Sequence, residues 1–197
     1  MLAEVKLAAL GDSLTQGYGL RPQDGFVPQM QAWLEAQGAD VEIINAGVSG
    51  DTTAGGLSRV DWTLSDGIEA MIVTLGGNDL LRGIDPAASK QNLDGILAAA
   101  DEAGVEVLLV GMQAPGNFGS GYKSAFDGMY SELSEKWDVP LAETSFLGPL
   151  MEIEDREAAL ADYMQSDGIH PNAEGVKVIV EALGPDVLSL VERAEGS

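Results

Sequence analysis

The sequence predicts a doubly wound α/β domain with about five parallel strands and helices on both sides. Three observations carry that expectation. Strand-like and helix-like segments alternate from one end of the chain to the other. The strand-like segments are continuously apolar rather than alternating, as in strands buried on both faces. Glycine or proline punctuates most of the boundaries between them.

The elements follow in order. Residues 5–10 are a short apolar run closed by Gly11, a buried-strand pattern. Residues 26–37 place Phe26, Met30, Trp33 and Leu34 on one helical face, and Gly38 stops them. Residues 41–44 are the next β-branched run. Residues 53–64 read as a helix interrupted by Gly55 and Gly56, and residues 71–75 as a third apolar strand. Residues 86–103 form a helix with Leu93, Ile96 and Leu97 inward, ended by Gly104. Residues 105–110 are the most strand-like of all. The stretch 116–121 reads as a mobile loop. Residues 124–136 carry Phe126, Met129, Tyr130 and Leu133 on one face, and residues 139–142 make a short last strand. The final helix spans residues 171–183, with Pro171 suited to its first turn and Pro185 marking a kink or break before a last turn or two. No repeat or linker interrupts the pattern, so one domain is expected over residues 1–197.

Composition narrows the function. The 197 residues carry 10 Lys and Arg against 32 Asp and Glu, a formal charge of −22. Such a surface repels phosphates, which excludes a nucleic-acid partner and disfavours anionic membranes. No run approaches the roughly 18 apolar residues of a membrane span, so no stable membrane insertion is expected. With no cysteine and one histidine, a thiolate site or a multi-histidine zinc site cannot be built. Residues 1–9 hold neither a basic region nor a long apolar stretch and do not read as a secretory leader. The protein is expected to be cytoplasmic unless a leader has been removed.

In parallel α/β sheets, ligands bind beyond the carboxyl ends of the strands. Asp12 and Ser13 follow the first strand, residues 45–52 the second, Asn78 and Asp79 the third, and residues 113–118 the fourth. All four clusters therefore fall on one edge. Ser13 sits in Gly11-Asp12-Ser13-Leu14, where a tight strand-to-helix turn exposes its hydroxyl; the position suits a nucleophile and equally a helix N-cap. The single histidine lies in Asp167-Gly168-Ile169-His170-Pro171. A glycine turn can bring the Asp167 carboxylate to Nδ1 of His170 and leave Nε2 free as a base, although a plain Asp-Gly turn fits too. Asn78, in Gly76-Gly77-Asn78-Asp79, and Gly50, in Ser49-Gly50-Asp51-Thr52, can donate hydrogen bonds to developing negative charge or simply serve turns.

Taken together and in order, these four motifs resemble the GDSL or SGNH hydrolase superfamily. The resemblance spans about residues 5–180. Ser49-Gly50-Asp51-Thr52, the Gly-Gly-Asn-Asp-Leu-Leu-Arg-Gly run at 76–83 and Pro-Gly-Asn-Phe-Gly at 115–119 are most similar to its bacterial arylesterase and acyl-thioesterase I/lysophospholipase L1 group. The resemblance implies a flavodoxin-like three-layer α/β/α sandwich. It implies Ser13 as nucleophile, His170 as base and then acid, and Asp167 as the orienting carboxylate. The oxyanion hole it implies consists of the N–H groups of Ser13 and Gly50 and the amide of Asn78. It also implies export to the periplasm, and hence a removed leader.

The expected reaction is hydrolysis of a short- to medium-chain acyl ester (aryl or alkyl ester, thioester or lysophospholipid) through an acyl-enzyme, with no metal or organic cofactor. The small-molecule ester is the expected partner, and the working unit is expected to be a monomer or weak dimer. Leu14, Leu80, Ala114, Phe118 and Ile169, apolar and at the strand-end edge, are the candidates for the acyl pocket. The glycine-rich loops 77–84 and 113–121 are candidates for closing over substrate. The sequence leaves two alternatives: a carbohydrate acetyl esterase with the same triad, and, from a different class, a flavodoxin-like phosphate- or nucleotide-binding module.

Overall fold

Four parallel strands order the structure, a computed structural model that describes residues 4–65 and 67–196. The expectation for the start of the chain thus lies outside the described residues as far as Met1, Leu2 and Ala3 are concerned. The strands are β1 (Val5–Gly11), β2 (Val41–Gly47), β3 (Ala70–Thr74) and β4 (Glu106–Leu109), arranged β2-β1-β3-β4. The two central strands explain the unbroken apolar runs: β3 is buried at every position and β1 at all but one. Edge strand β2 is largely open to solvent. The register pairs Leu7 with Ile43 on one side and Ala70 on the other, and it brings Gly11, Gly47 and Thr74 to a common carboxyl edge.

The helices are α1 (Ser13–Gln16), α2 (Phe26–Ala36), α3 (Thr53–Thr63), α4 (Gly77–Leu81), α5 (Pro86–Ala103), α6 (Ser120–Trp137), α7 (Gly148–Met151), α8 (Arg156–Tyr163) and α9 (Ala173–Glu195). α2 and α9 pack together on one face of the sheet, and α3, α5 and α6 pack in sequence on the other. This is the α/β/α sandwich. Phe26, Met30 and Leu34 from α2 and Leu93, Ile96 and Leu97 from α5 enter the core, as their spacing predicts.

Four expectations are corrected. The fifth strand is reduced to one bridge, Leu109 with Leu141, because residues 139–142 leave the sheet edge after a single pairing. Helix α9 runs unbroken through Pro185. That proline lies on the solvent face, so the carbonyl it leaves unbonded at Glu181 is also at the surface, while buried Leu183, Val187, Leu190 and Val191 hold the helix to the core on both sides. Pro171 precedes this helix rather than opening it; Asn172 is the cap, its side chain accepting from the Gly175 N–H at 3.0 Å. The loop at 116–121 is also shorter than read, since α6 begins at Ser120.

Candidate active site

The turn after β1 is shaped by contact. A Cβ on Gly47 would lie 2.4 Å from the backbone nitrogen of Gln16, so only glycine lets β2 pass this close to α1. At the start of α1 the cap is Asp12, whose carboxylate accepts from Leu14 N–H at 3.0 Å. The capping role therefore falls to Asp12, and the Ser13 hydroxyl points elsewhere. It meets His170: Nε2 lies 2.9 Å from Ser13 Oγ, across 157 positions of sequence. On the far side of the ring, Nδ1 lies 2.6 Å from Asp167 Oδ2. A carboxylate accepts only, so Nδ1 carries the proton, and in the neutral ring Nε2 is left to accept from the serine O–H.

Asp167 is held by its own turn. Its Oδ1 accepts from the backbone N–H groups of His170 at 3.0 Å and Ile169 at 2.9 Å. The His170 backbone bond, then the ring bond, then the Ile169 bond bring its carboxyl down to about 2. The turn is tied from outside to the segment that follows α1. Gln165 Nε2 donates to the Tyr18 and Pro171 carbonyls at 2.8 and 3.0 Å, and the Tyr18 ring lies against the imidazole with centroids 4.8 Å apart.

Gly50 and Asn78 face the same space. Gly50 has φ +84°, a left-handed backbone that favours glycine, and its carbonyl accepts from Arg82 Nη2 at 2.8 Å. Asn78 Nδ2 donates to the Asp51 carbonyl at 2.9 Å and to Asp12 Oδ2 at 3.3 Å. Arg59 braces the edge from below, reaching the Gly11 and Ala46 carbonyls at 2.9 and 2.8 Å and the Asp51 carboxylate at 2.7 Å. Asp12 is 2% exposed, and burial pushes its carboxyl up to about 6 against the pull of Leu14 N–H, the charge of His170 and the Asn78 amide.

A cavity of about 290 Å³ opens over these groups, and Ser13, Gly50, Asn78 and His170 all line it. Of the residues expected around an acyl group, Leu14, Leu80 and Ile169 are on its wall; Ala114 and Phe118 are not. Ala114 is pulled into the protein, its N–H donating to Asp127 at 2.8 Å and its carbonyl accepting from Lys123 at 2.6 Å. Phe118 turns its ring onto Tyr122, centroids 5.1 Å apart, and over Gly83. The remaining apolar wall comes from Tyr18, Leu81, Met112, Leu147 and Met151. Leu147 and Met151 flank and end a four-residue helix, too short to leave a periodic signal; Met112 lies one residue before the interval 113–118 assigned to the strand-end edge and was missed by that boundary.

The profile of the GDSL-like Lipase/Acylhydrolase family matches residues 9–178. Esterase TesA of Pseudomonas aeruginosa is 35% identical over 186 residues, covering 94% of this chain and 89% of that protein. Thioesterase 1/protease 1/lysophospholipase L1 of Escherichia coli is 33% identical, covering 94% and 84%. The crystal structure of AlinE4, an SGNH-hydrolase family esterase, superposes with a TM-score of 0.77 at 42% identity, covering 96% of this chain and 97% of that one. The chain belongs to the GDSL-like lipase/acylhydrolase family and is an enzyme that cleaves esters.

Proposed function

We infer that this enzyme hydrolyses short- to medium-chain acyl esters by a serine acyl-enzyme mechanism, with Ser13 as nucleophile, His170 as base and Asp167 as the group that orients the ring. The observation that carries the reading is the continuous chain of contacts from Asp167 through His170 to Ser13, 2.6 and 2.9 Å long. As Ser13 Oγ attacks the ester carbonyl, its proton passes to Nε2 and the carbonyl π pair moves onto oxygen. The Asp167 carboxylate steadies the resulting imidazolium. The N–H groups of Ser13 and Gly50 and the Asn78 amide form the hole for the oxyanion. Collapse of the intermediate expels the alcohol, which takes the proton from Nε2. Water then repeats the sequence and releases the acid.

The apolar wall of Leu14, Leu80, Leu147, Met151 and Ile169 supports an acyl chain as the bound group and speaks against a sugar. The working unit in this reading is a monomer or weak dimer. Thioesters and lysophospholipids, which the names of the relatives suggest, present the same carbonyl to the same groups. A fluorophosphonate should label Ser13 stoichiometrically, and Ser13→Ala should abolish both labelling and turnover of p-nitrophenyl esters from acetate to laurate. Labelling that persists in Ser13→Ala overturns the assignment.

A further inference from the structure

Asp12 stands outside the proton relay, yet it is buried beside Ser13 and lines the same cavity. Both of its oxygens serve as acceptors, Oδ1 for the Leu14 N–H at 3.0 Å and Oδ2 for Asn78 Nδ2 at 3.3 Å. The second proton of the Asn78 amide goes to the Asp51 carbonyl at 2.9 Å. An ionised carboxylate and a backbone carbonyl accept only, so these two neighbours together dictate that the NH₂ end of Asn78, not its oxygen, faces them. The two bonds are unequal. The shorter one anchors the amide to the entry of α3. The longer one lies beyond the usual range for a strong N–H···O bond, and its acceptor is on the cavity wall.

We propose that Asp12 is a positioning residue for the oxyanion hole: it holds the cavity-side N–H of Asn78 in the free enzyme and yields it to the oxygen of the tetrahedral intermediate. The proposal rests on the reading of Ser13 and Asn78 given above. No covalent bond changes in this exchange; one acceptor replaces another. A carboxylate is required because two donors, Leu14 N–H and Asn78 Nδ2, need two acceptor oxygens. An amide at position 12 supplies one oxygen, and its NH₂ would confront either the Leu14 N–H or the NH₂ of Asn78.

A double-mutant cycle tests the idea. Asn78→Ala should lower kcat by about 10²–10³-fold, as loss of one oxyanion donor does. Asp12→Asn should lower kcat by about 10–100-fold while KM changes by less than about twofold. In the Asn78→Ala background the same substitution should cost less than about threefold, because the group it acts through is gone. Multiplicative losses in the double variant would show that Asp12 acts only as a helix cap, and an unchanged kcat in Asp12→Asn overturns the proposal directly. Ser13→Ala, run alongside, separates the two failures: if it remains active, the nucleophile assignment is wrong; if it is dead while the cycle is multiplicative, only the role of Asp12 is wrong.

A second measurement does not depend on how Asp12→Asn folds. His170 and Tyr130 are the titratable groups that bear electrostatically on Asp12, and Tyr130 is pushed up by burial, far above the range used. In the His170→Gln protein the side-chain ¹⁵N signal of Asn78 should therefore shift as Asp12 ionises between about pH 4 and pH 8. A signal that does not move over this range overturns the proposal.

Discussion

At the scale of single residues, the site is a set of acceptors and donors whose roles follow from what each can and cannot do. Asp12 and Asp167 are both carboxylates within reach of His170, yet burial drives one up to about 6 and backbone N–H groups hold the other at about 2. Asp167 therefore stays ionised wherever the enzyme works. For Asp12 the native state binds the proton more tightly than the unfolded chain, whose carboxyl sits at 3.8. That stabilisation is complete below the unfolded value and is lost as pH rises through about 6, a change of about 3 kcal/mol. Urea unfolding of Asp12→Asn and the parent should therefore diverge, with the variant gaining about 3 kcal/mol relative to the parent between about pH 4 and pH 7.5. Parallel pH profiles would contradict the burial of this charge. The acyl wall gives a second test. Leu147→Phe should shift preference toward shorter p-nitrophenyl esters, and Phe118→Ala, outside the cavity, should leave the chain-length profile as it is. That Ser13, His170 and Asp167 would meet was suggested in sequence by the four motifs together and the family they resemble, since each motif alone fitted a cap or a turn as well. Asp12 was in plain view in the same motif as Ser13, but nothing in a one-dimensional pattern shows that both its oxygens are spoken for.

At the scale of elements, the strands were readable as unbroken apolar runs and the long helices by a period of 3.6, which needs several residues to show itself. Helices α1, α4 and α7, with four, five and four residues, could not show one, and they are the elements that shape the cavity. The α4 turn is fixed by Asp79, fully buried, which accepts from Thr53 N–H at 2.8 Å, Thr53 Oγ1 at 2.6 Å and Ser89 Oγ at 2.8 Å. One carboxylate thus fastens the start of α3 and the first turn of α5 to the segment that carries Asn78. Asp79→Ala would strand three buried donors and should lower stability by about 3–5 kcal/mol in urea unfolding. A loss below about 1 kcal/mol would mean that α4 is held by packing instead. The reading of Pro185 as a break failed for a related reason: proline penalises a helix locally, and exposure of the freed carbonyl together with core contacts on both sides outweighs that penalty.

At the scale of the molecule, the charge of −22 surrounds an apolar cavity. Neutral esters approach that field without penalty, whereas an acyl-CoA carries several negative charges into it. Turnover of acyl-CoA at low substrate should rise as NaCl is raised to about 0.3 M, while turnover of a neutral p-nitrophenyl ester should stay nearly flat. Matching responses would show that the field does not steer substrate. No helix among the described residues is long and apolar enough to cross a membrane. The architecture also has a temporal side. Ser13 leaves the ribosome 157 positions before His170, and the stretch that becomes α9, which must dock against α2, emerges after that turn. With Ser13 as the proposed nucleophile, a nascent chain thus carries an inert hydroxyl until that turn has been made, and hydrolytic competence switches on only when β1 and the segment before α9 have met.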